Sequence, residues 1–159
     1  MKTARHLAAL IALIGPLMFF APAQAASASI TSHMAQTMAD AAAQAAREKG
    51  FSIVVSIVDN HGNLKHLHRM DNTSAGSIEV SRLKASTSAH FPVSTKVLAE
   101  RSTGFASNPY AAIPGFLLLE GGLPIMSKNG VHIGGIGISG ATPELDAAFA
   151  QAAINRLNQ

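Results

Sequence analysis

Apolar residues recur along this chain at two spacings. Between Ser29 and Lys49, Ile30, Met34, Met38, Ala41 and Ala45 return every three or four positions, which predicts one face of a helix. Thr31 or Ser32 can cap its start and Gly50 can end it. Arg47 and Lys49 suit the negative end of its dipole. From Phe51 to Val58 the period falls to two. Phe51, Ile53, Val55 and Ile57 take one side of a strand, and Ser52, Val54, Ser56 and Val58 the other. The first side is core. The second is half apolar, so a helix or a neighbouring subunit is expected to cover it. Asp59-Asn60-His61-Gly62-Asn63 reads as a tight turn, with Asp59 bonding the backbone ahead of it and Gly62 at positive φ. Leu64 to Met70 is the return strand. Simple alternation puts Leu64, His66, His68 and Met70 on one face and Lys65, Leu67 and Arg69 on the other.

Ser74 to Phe91 predicts a second long helix, with Ile78, Leu83, Ala85 and Ala89 as its apolar stripe and Pro92 as its stop. Ser94 caps a short helix over Thr95 to Arg101. A loop from Ser102 to Ile113 carries the only tyrosine, Tyr110, and Phe116 to Leu119 reads as a short strand. Pro124 to Met126 and Val131 to Ser139 form a hairpin, for which Asn129-Gly130 supplies the residues of a type I′ turn. Its return strand is rich in glycine, which lets another backbone, a helix or a ligand come close. Thr142-Pro143 opens a last helix that runs to Asn158. Two hairpins separated by helices predict an α/β (α+β) domain: an antiparallel sheet with helices packed on its faces.

The glycine strand also spells G-x-G-x-x-G, from Gly135 through Gly137 to Gly140. A dinucleotide fold would continue into a further strand and place an acidic residue roughly 20 positions on. No acidic residue follows Asp146, so that function class is set aside.

The N-terminal segment changes the charge and the location. Lys2 and Arg5 precede an apolar run, Leu7 to Phe20, and Ala23-Gln24-Ala25 is an A-x-A cleavage pattern. Residues 1–25 therefore read as a secretory signal peptide, leaving a single domain over 26–159 in a periplasmic or secreted location. The run is shorter than the ~20 residues of a membrane span, so no stable insertion is expected after cleavage. The whole chain carries a net charge of +3; without Lys2 and Arg5 it is +1. With no basic stripe, no tryptophan and one tyrosine, nucleic acid is not an expected partner. So weakly charged and apolar a surface predicts a homo-oligomer, with the half-apolar side of the first strand or the alanine-rich helix in the contact. Neither H-E-x-x-H, G-x-S-x-G nor a P-loop is present, and no catalytic residues are nominated.

Five short motifs occur in order: Val58-Asp59-x-x-Gly62; Arg69-Met70-Asp71; Lys84-Ala85-x-Thr87; Gly121-Gly122-x-Pro124-Ile125; and Gly134-x-Ile136-Gly137-x-Ser139-Gly140. Together they resemble the GlcG/HbpS-like haem-binding family, related to the C-terminal domain of PduO-type proteins. The resemblance runs from Ile30 to the end of the chain. It implies a profilin-like, GlcG-type single domain with a five-stranded antiparallel sheet flanked by helices. It also implies stable oligomers and binding of haem, with a corrinoid as the alternative. The expected function is an exported small haem-binding protein for capture, buffering or sensing of haem or iron. The alternative is an enzyme, or an accessory to one, of carboxylate or corrinoid-linked metabolism.

Haem needs an apolar slot and an axial donor. Six histidines follow the signal segment, and the absence of cysteine excludes C-x-x-C-H attachment, so any haem is non-covalent. His66 and His68, two apart on a strand, present both rings to one side. His90 ends the second helix beside the loop expected to form a pocket rim. Lys84 is expected to reach a carboxylate such as Asp59, or a haem propionate, with Thr87 close by on the same helix. His66, His68, Lys84, Thr87 and His90 are the candidate cofactor-binding residues, with Met70, Tyr110 or a threonine as other possible axial donors. His61 and His132 are assigned to turn and sheet.

Overall fold

The computed structural model describes residues 29–158. The signal segment and its cleavage site lie outside the described residues. In chain order the elements are α1 (Ser32–Glu48), β1 (Val54–Asp59), β2 (Leu64–Arg69), α2 (Gly76–His90), α3 (Thr95–Thr103), a 3-10 turn (Pro109–Ala112), β3 (Gly122–Met126), β4 (His132–Ser139) and α4 (Pro143–Leu157). The strands form one antiparallel sheet in the order β2-β1-β4-β3.

Capping fixes the helix starts. Thr31 Oγ1 accepts from Met34 N, Ser94 Oγ from Val97 N and Thr142 Oγ1 from Leu145 N. α1 and α4 cover one face of the sheet. There Met38, Ala42, Ala46 and Phe149 close over Ile53, Val55, Ile57, Ile136 and Ile138, all essentially without solvent exposure.

α2 covers the opposite face, and it does so against the expected pattern. Ile78 and Leu83 of the expected apolar stripe are only half-buried, while Ser77, Ser81, Lys84, Ala85, Thr87, Ser88 and Ala89 are buried. The cause lies in the glycines opposite. A Cβ on Gly137 would run into the carbonyl oxygen of Ser81, one on Gly135 into that of Ala85, and one on Gly122 would lie 2.5 Å from that of Lys84. The helix backbone rests on the strands, so only small side chains fit between them. Their hydroxyls find partners at once: Ser56 and Ser81 share a hydrogen bond of 2.8 Å, and Ser88 Oγ lies 3.1 Å from the Leu123 carbonyl.

The second side of β1 is thus covered by the chain's own helix. Val54 and Ala42 are both fully buried. The expectation that β1 or the alanine-rich face of α1 forms a subunit contact is corrected, because those surfaces are spent within the domain.

Among the described residues the sheet has four strands where five were expected. Residues 116–119 do not pair. Side chains from the neighbouring helices take their backbone groups instead: Leu117 N donates to Thr87 Oγ1 at 2.9 Å, and Thr95 Oγ1 donates to the Leu119 carbonyl at 2.7 Å while accepting from Gly122 N. With those groups satisfied, nothing drives strand pairing there.

Both hairpins turn in the same way. Gly62 N donates to the Asp59 carbonyl and Gly130 N to the Ser127 carbonyl, with the glycines at φ 83° and 74°. Asn129 is not at positive φ, so the second turn is not type I′. It is a four-residue turn closed by a left-handed glycine, held by Val131 N donating to Ser127 Oγ. In the first hairpin Val58 pairs with Leu64 and Ile57 with His66, so Lys65 is an extra, bulged residue. The bulge moves Leu64 to the α2 side with Leu67, away from the histidine face assigned to it by simple alternation.

Candidate functional site

Lys84 lies at the centre of the α2 face and is 1% exposed. Its partner is Asp146 in the first turn of α4, not Asp59. Nζ donates to Asp146 Oδ2 and to the Ile138 carbonyl, both at 2.8 Å. Asp146 also accepts from Ala141 N at 3.1 Å. Burial pushes the Asp146 carboxyl up, against the opposing pull of the Lys84 ammonium and the Ala141 N–H. Gly121 makes room for this pair, since a Cβ there would lie 2.7 Å from Nζ. The K-A-x-T and G-G motifs therefore meet in space. The lysine is engaged on both sides and ties α2 to α4 and to β4. Thr87 is also fully buried and holds Leu117 N.

His90 ends the same helix and is exposed. Its Nδ1 lies 2.9 Å from the Ser86 carbonyl and 3.2 Å from Ser86 Oγ. A carbonyl only accepts, so Nδ1 carries the proton and the lone pair of the neutral ring sits on Nε2. The ring stacks on Phe116 at 6.3 Å between centroids with 21° between planes. Phe91, turned outward where Pro92 stops the helix, meets Phe116 edge-on at 5.4 Å and Tyr110 at 5.6 Å. On the other side the first turn fits against the imidazole: a Cβ on Gly62 would lie 2.7 Å from Cε1 and 3.0 Å from Nε2. The result is an aromatic shelf carrying one oriented imidazole. Phe91 is 38% exposed, and Leu64, brought to this side by the bulge, is 51% exposed.

His66 and His68 lie across the sheet from this shelf. They pair with Ile57 and Val55, whose side chains belong to the α1 and α4 face, and both are half-buried. His68 borders an open concavity between the end of α1 and the end of β2. The five candidate residues thus divide: Lys84 and Thr87 inside the α2 packing, His90 on the shelf, and the histidine pair on the far face. Among the described residues no group of three or more His, Cys, Asp or Glu is placed to hold a metal ion, and no helix is long and apolar enough to cross a membrane.

Sequence reasoning missed Asp146, Phe91 and Phe116. An acid in the first turn after Thr142-Pro143 is an ordinary dipole partner, and only the fold shows that it is buried. Phe91 beside Pro92 could have been flagged as an apolar residue at a helix end with no periodic partner.

A family model described as haem degrading protein HbpS-like matches residues 30–155. The chain belongs to this HbpS-like family. An uncharacterised 15.0 kDa protein from the dhaT-dhaS intergenic region of Citrobacter freundii is 33% identical over 136 residues, covering 80% of this chain and 92% of its own. A double-mutant form of HbpS from Streptomyces reticuli shares the fold at a TM-score of 0.73 and 31% identity, over 94% of this chain and 97% of that one. PduOC, solved in complex with haem, matches at a TM-score of 0.73 and 30% identity, over 80% of this chain and 94% of that one. The HbpS-like domain is α+β, with the helices and antiparallel sheet described above.

Proposed function

We propose that this HbpS-like protein binds haem non-covalently on the aromatic shelf, with His90 as the axial donor. In this reading it is an exported haem-binding protein, periplasmic or secreted, for capture, buffering or sensing. The observation that carries the reading is the His90 ring, whose Nδ1 is held by Ser86 so that Nε2 is left as an electron-pair donor beside exposed aromatic faces. A histidine metal ligand is commonly oriented in this way, through its other nitrogen. Phe91, Tyr110 and Phe116 offer flat apolar surface to a porphyrin. The absence of cysteine fits a haem that is not covalently attached.

The iron chemistry belongs to the haem; the chain supplies a donor, an apolar platform and a rigid backing. Lys84 is no propionate partner in this arrangement, because Asp146 and Ile138 engage it in the interior. Family membership and the haem complex of PduOC support the reading. The leader pattern at residues 1–25 supports export. Low charge and exposed apolar side chains such as Leu64, Phe105 and Val131 support self-association as a homo-oligomer, through surface other than the buried β1 side.

Hemin titrated into residues 26–159 is expected to give a saturable Soret shift, and organic extraction is expected to remove the haem. Spectra indistinguishable from hemin with lysozyme would overturn the proposal. A saturable spectral change with cobalamin and none with hemin would favour the corrinoid alternative.

A further inference from the structure

The last rung between β1 and β2 is built on a sulfur atom. One step beyond Val54 and Arg69, the register places Ile53 opposite Met70. A hydrogen-bonded antiparallel pair exchanges two N–H···O=C bonds. Here only one is made: Met70 N donates to the Ile53 carbonyl at 3.1 Å. The Met70 carbonyl accepts instead from Thr73 Oγ1, at 2.9 Å. The Ile53 N–H turns to the side chain and donates to Met70 Sδ at 3.4 Å.

Met70 is half-buried. It packs against the apolar core beneath α1 and α4, and it also lines the open concavity of about 410 Å³ between the end of α1 and the end of β2. A thioether sulfur carries two lone pairs, and the Ile53 N–H holds one of them. The other is free, on a residue that small solutes reach through the concavity. Two further methionines bracket this situation. Met38 is fully buried, while Met126 is exposed and its sulfur has no hydrogen-bond partner among the described residues.

We infer that Met70 is an oxidative modification site, at which a peroxide converts the thioether to one epimer of methionine sulfoxide and releases the Ile53 N–H. The free lone pair of Sδ attacks one peroxide oxygen. The O–O bond breaks as the S–O bond forms. The departing hydroxide takes the proton left on the transferred oxygen and leaves as water. Sulfur gives up two electrons and the peroxide is reduced. Because the Ile53 N–H covers one lone pair, oxygen is added on the other, which fixes the configuration of the chiral sulfoxide. The sulfur of a sulfoxide is electron-poor and accepts weakly, so a buried donor loses its partner and the end of the β1–β2 ladder loosens. The site is separate from the shelf and does not depend on haem binding.

The test treats the haem-free protein with hydrogen peroxide in the presence of a metal chelator and maps the products by peptide mass spectrometry. Met126 and Met70 are expected to gain about 16 Da each, and Met38 to stay unmodified. The epimers are told apart after digestion with the two classes of methionine sulfoxide reductase, each of which reduces one of them. Met70 sulfoxide is expected to hold an excess of about threefold or more of one epimer, the ratio that a single modest hydrogen bond supports. Met126, and Met70 oxidised in urea, should give the two equally. Hydrogen exchange at the Ile53 amide should be faster in the oxidised protein than in the parent. A Met70 that resists peroxide as Met38 does, equal epimers at Met70 in the folded protein, or an Ile53 amide equally protected in both forms would each overturn the inference.

Discussion

On the α1 and α4 side of the sheet, Ile53, Val55, Ile57, Ile136 and Ile138 meet Met38, Phe149 and rows of alanine. On the α2 side, Gly135, Gly137 and Ser56 meet Ser81, Ala85 and Ala89. The first side is held by apolar area removed from water, at about 25 cal/mol per Å². The second buries little hydrocarbon. It is held by backbone approach, by hydroxyl hydrogen bonds and by the ion pair that ties α2 to α4. A face of the first kind suffers when atoms are removed. A face of the second kind suffers when atoms are added or a polar partner is lost. The difference also explains why the family motifs cluster where they do. Lys84-Ala85-x-Thr87 and the glycine hairpin are two halves of one close contact.

The sharpest way to break this comparison is at the ion pair. Asp146→Ala leaves the Lys84 ammonium buried with only the Ile138 carbonyl, and should cost about 3–5 kcal/mol in urea unfolding. Lys84→Met combined with Asp146→Leu should recover most of that loss, since a buried pair is replaced by apolar atoms of similar volume. A single variant within about 0.5 kcal/mol of the parent would mean that the seam does not depend on the pair. Next comes the asymmetry between the faces. Gly137→Ala drives a methyl into the Ser81 carbonyl and should cost about 3 kcal/mol, whereas Ile138→Val on the other face should cost about 1 kcal/mol. Equal costs would erase the distinction.

A smaller effect is expected at the first turn. Burial pushes the Asp59 carboxyl up, but the N–H groups of Asn63 and His61 outweigh this and hold it below its ordinary value. Its contribution to stability is therefore present above the unfolded pKa of about 3.9 and is lost as pH falls through the lower folded value. Asp59→Asn keeps the two backbone bonds at Oδ1 but loses the charge, so its thermal midpoint should lie slightly below the parent near neutrality, and the two should converge as pH falls below about 4. An unchanged acid limb would show that the turn bonds do not favour the charged form. Smallest of all, Glu79→Ala removes the exposed pair with Arg82 and should leave the urea midpoint indistinguishable from that of the parent.

What the sequence made legible were the features set by neighbouring residues. Periodicity and caps located α1, α3 and α4, and Asp59 with Gly62 marked the first turn. Features set by distant residues were not legible. The buried polar face of α2 depends on glycines in β3 and β4. The partner of Lys84 lies in another helix. The backbone of residues 116–119 is taken by Thr87 and Thr95, which no local pattern announces. The bulge at Lys65, which parts Leu64 from the histidines, leaves no signature in an alternating run. At the candidate site His90 could be named from its place before Phe91-Pro92. Its aromatic neighbours could not, because Phe116 and Tyr110 come from a loop with no period.

The central claim is that the shelf, and not the histidine pair on the other face, receives the haem. Hemin titration of His90→Ala beside the His66→Ala, His68→Ala double variant tests it most directly, with circular dichroism confirming that both are folded. The double variant should keep the parent Soret shift, and His90→Ala should lose it. Loss in the double variant with an unchanged spectrum in His90→Ala would contradict it.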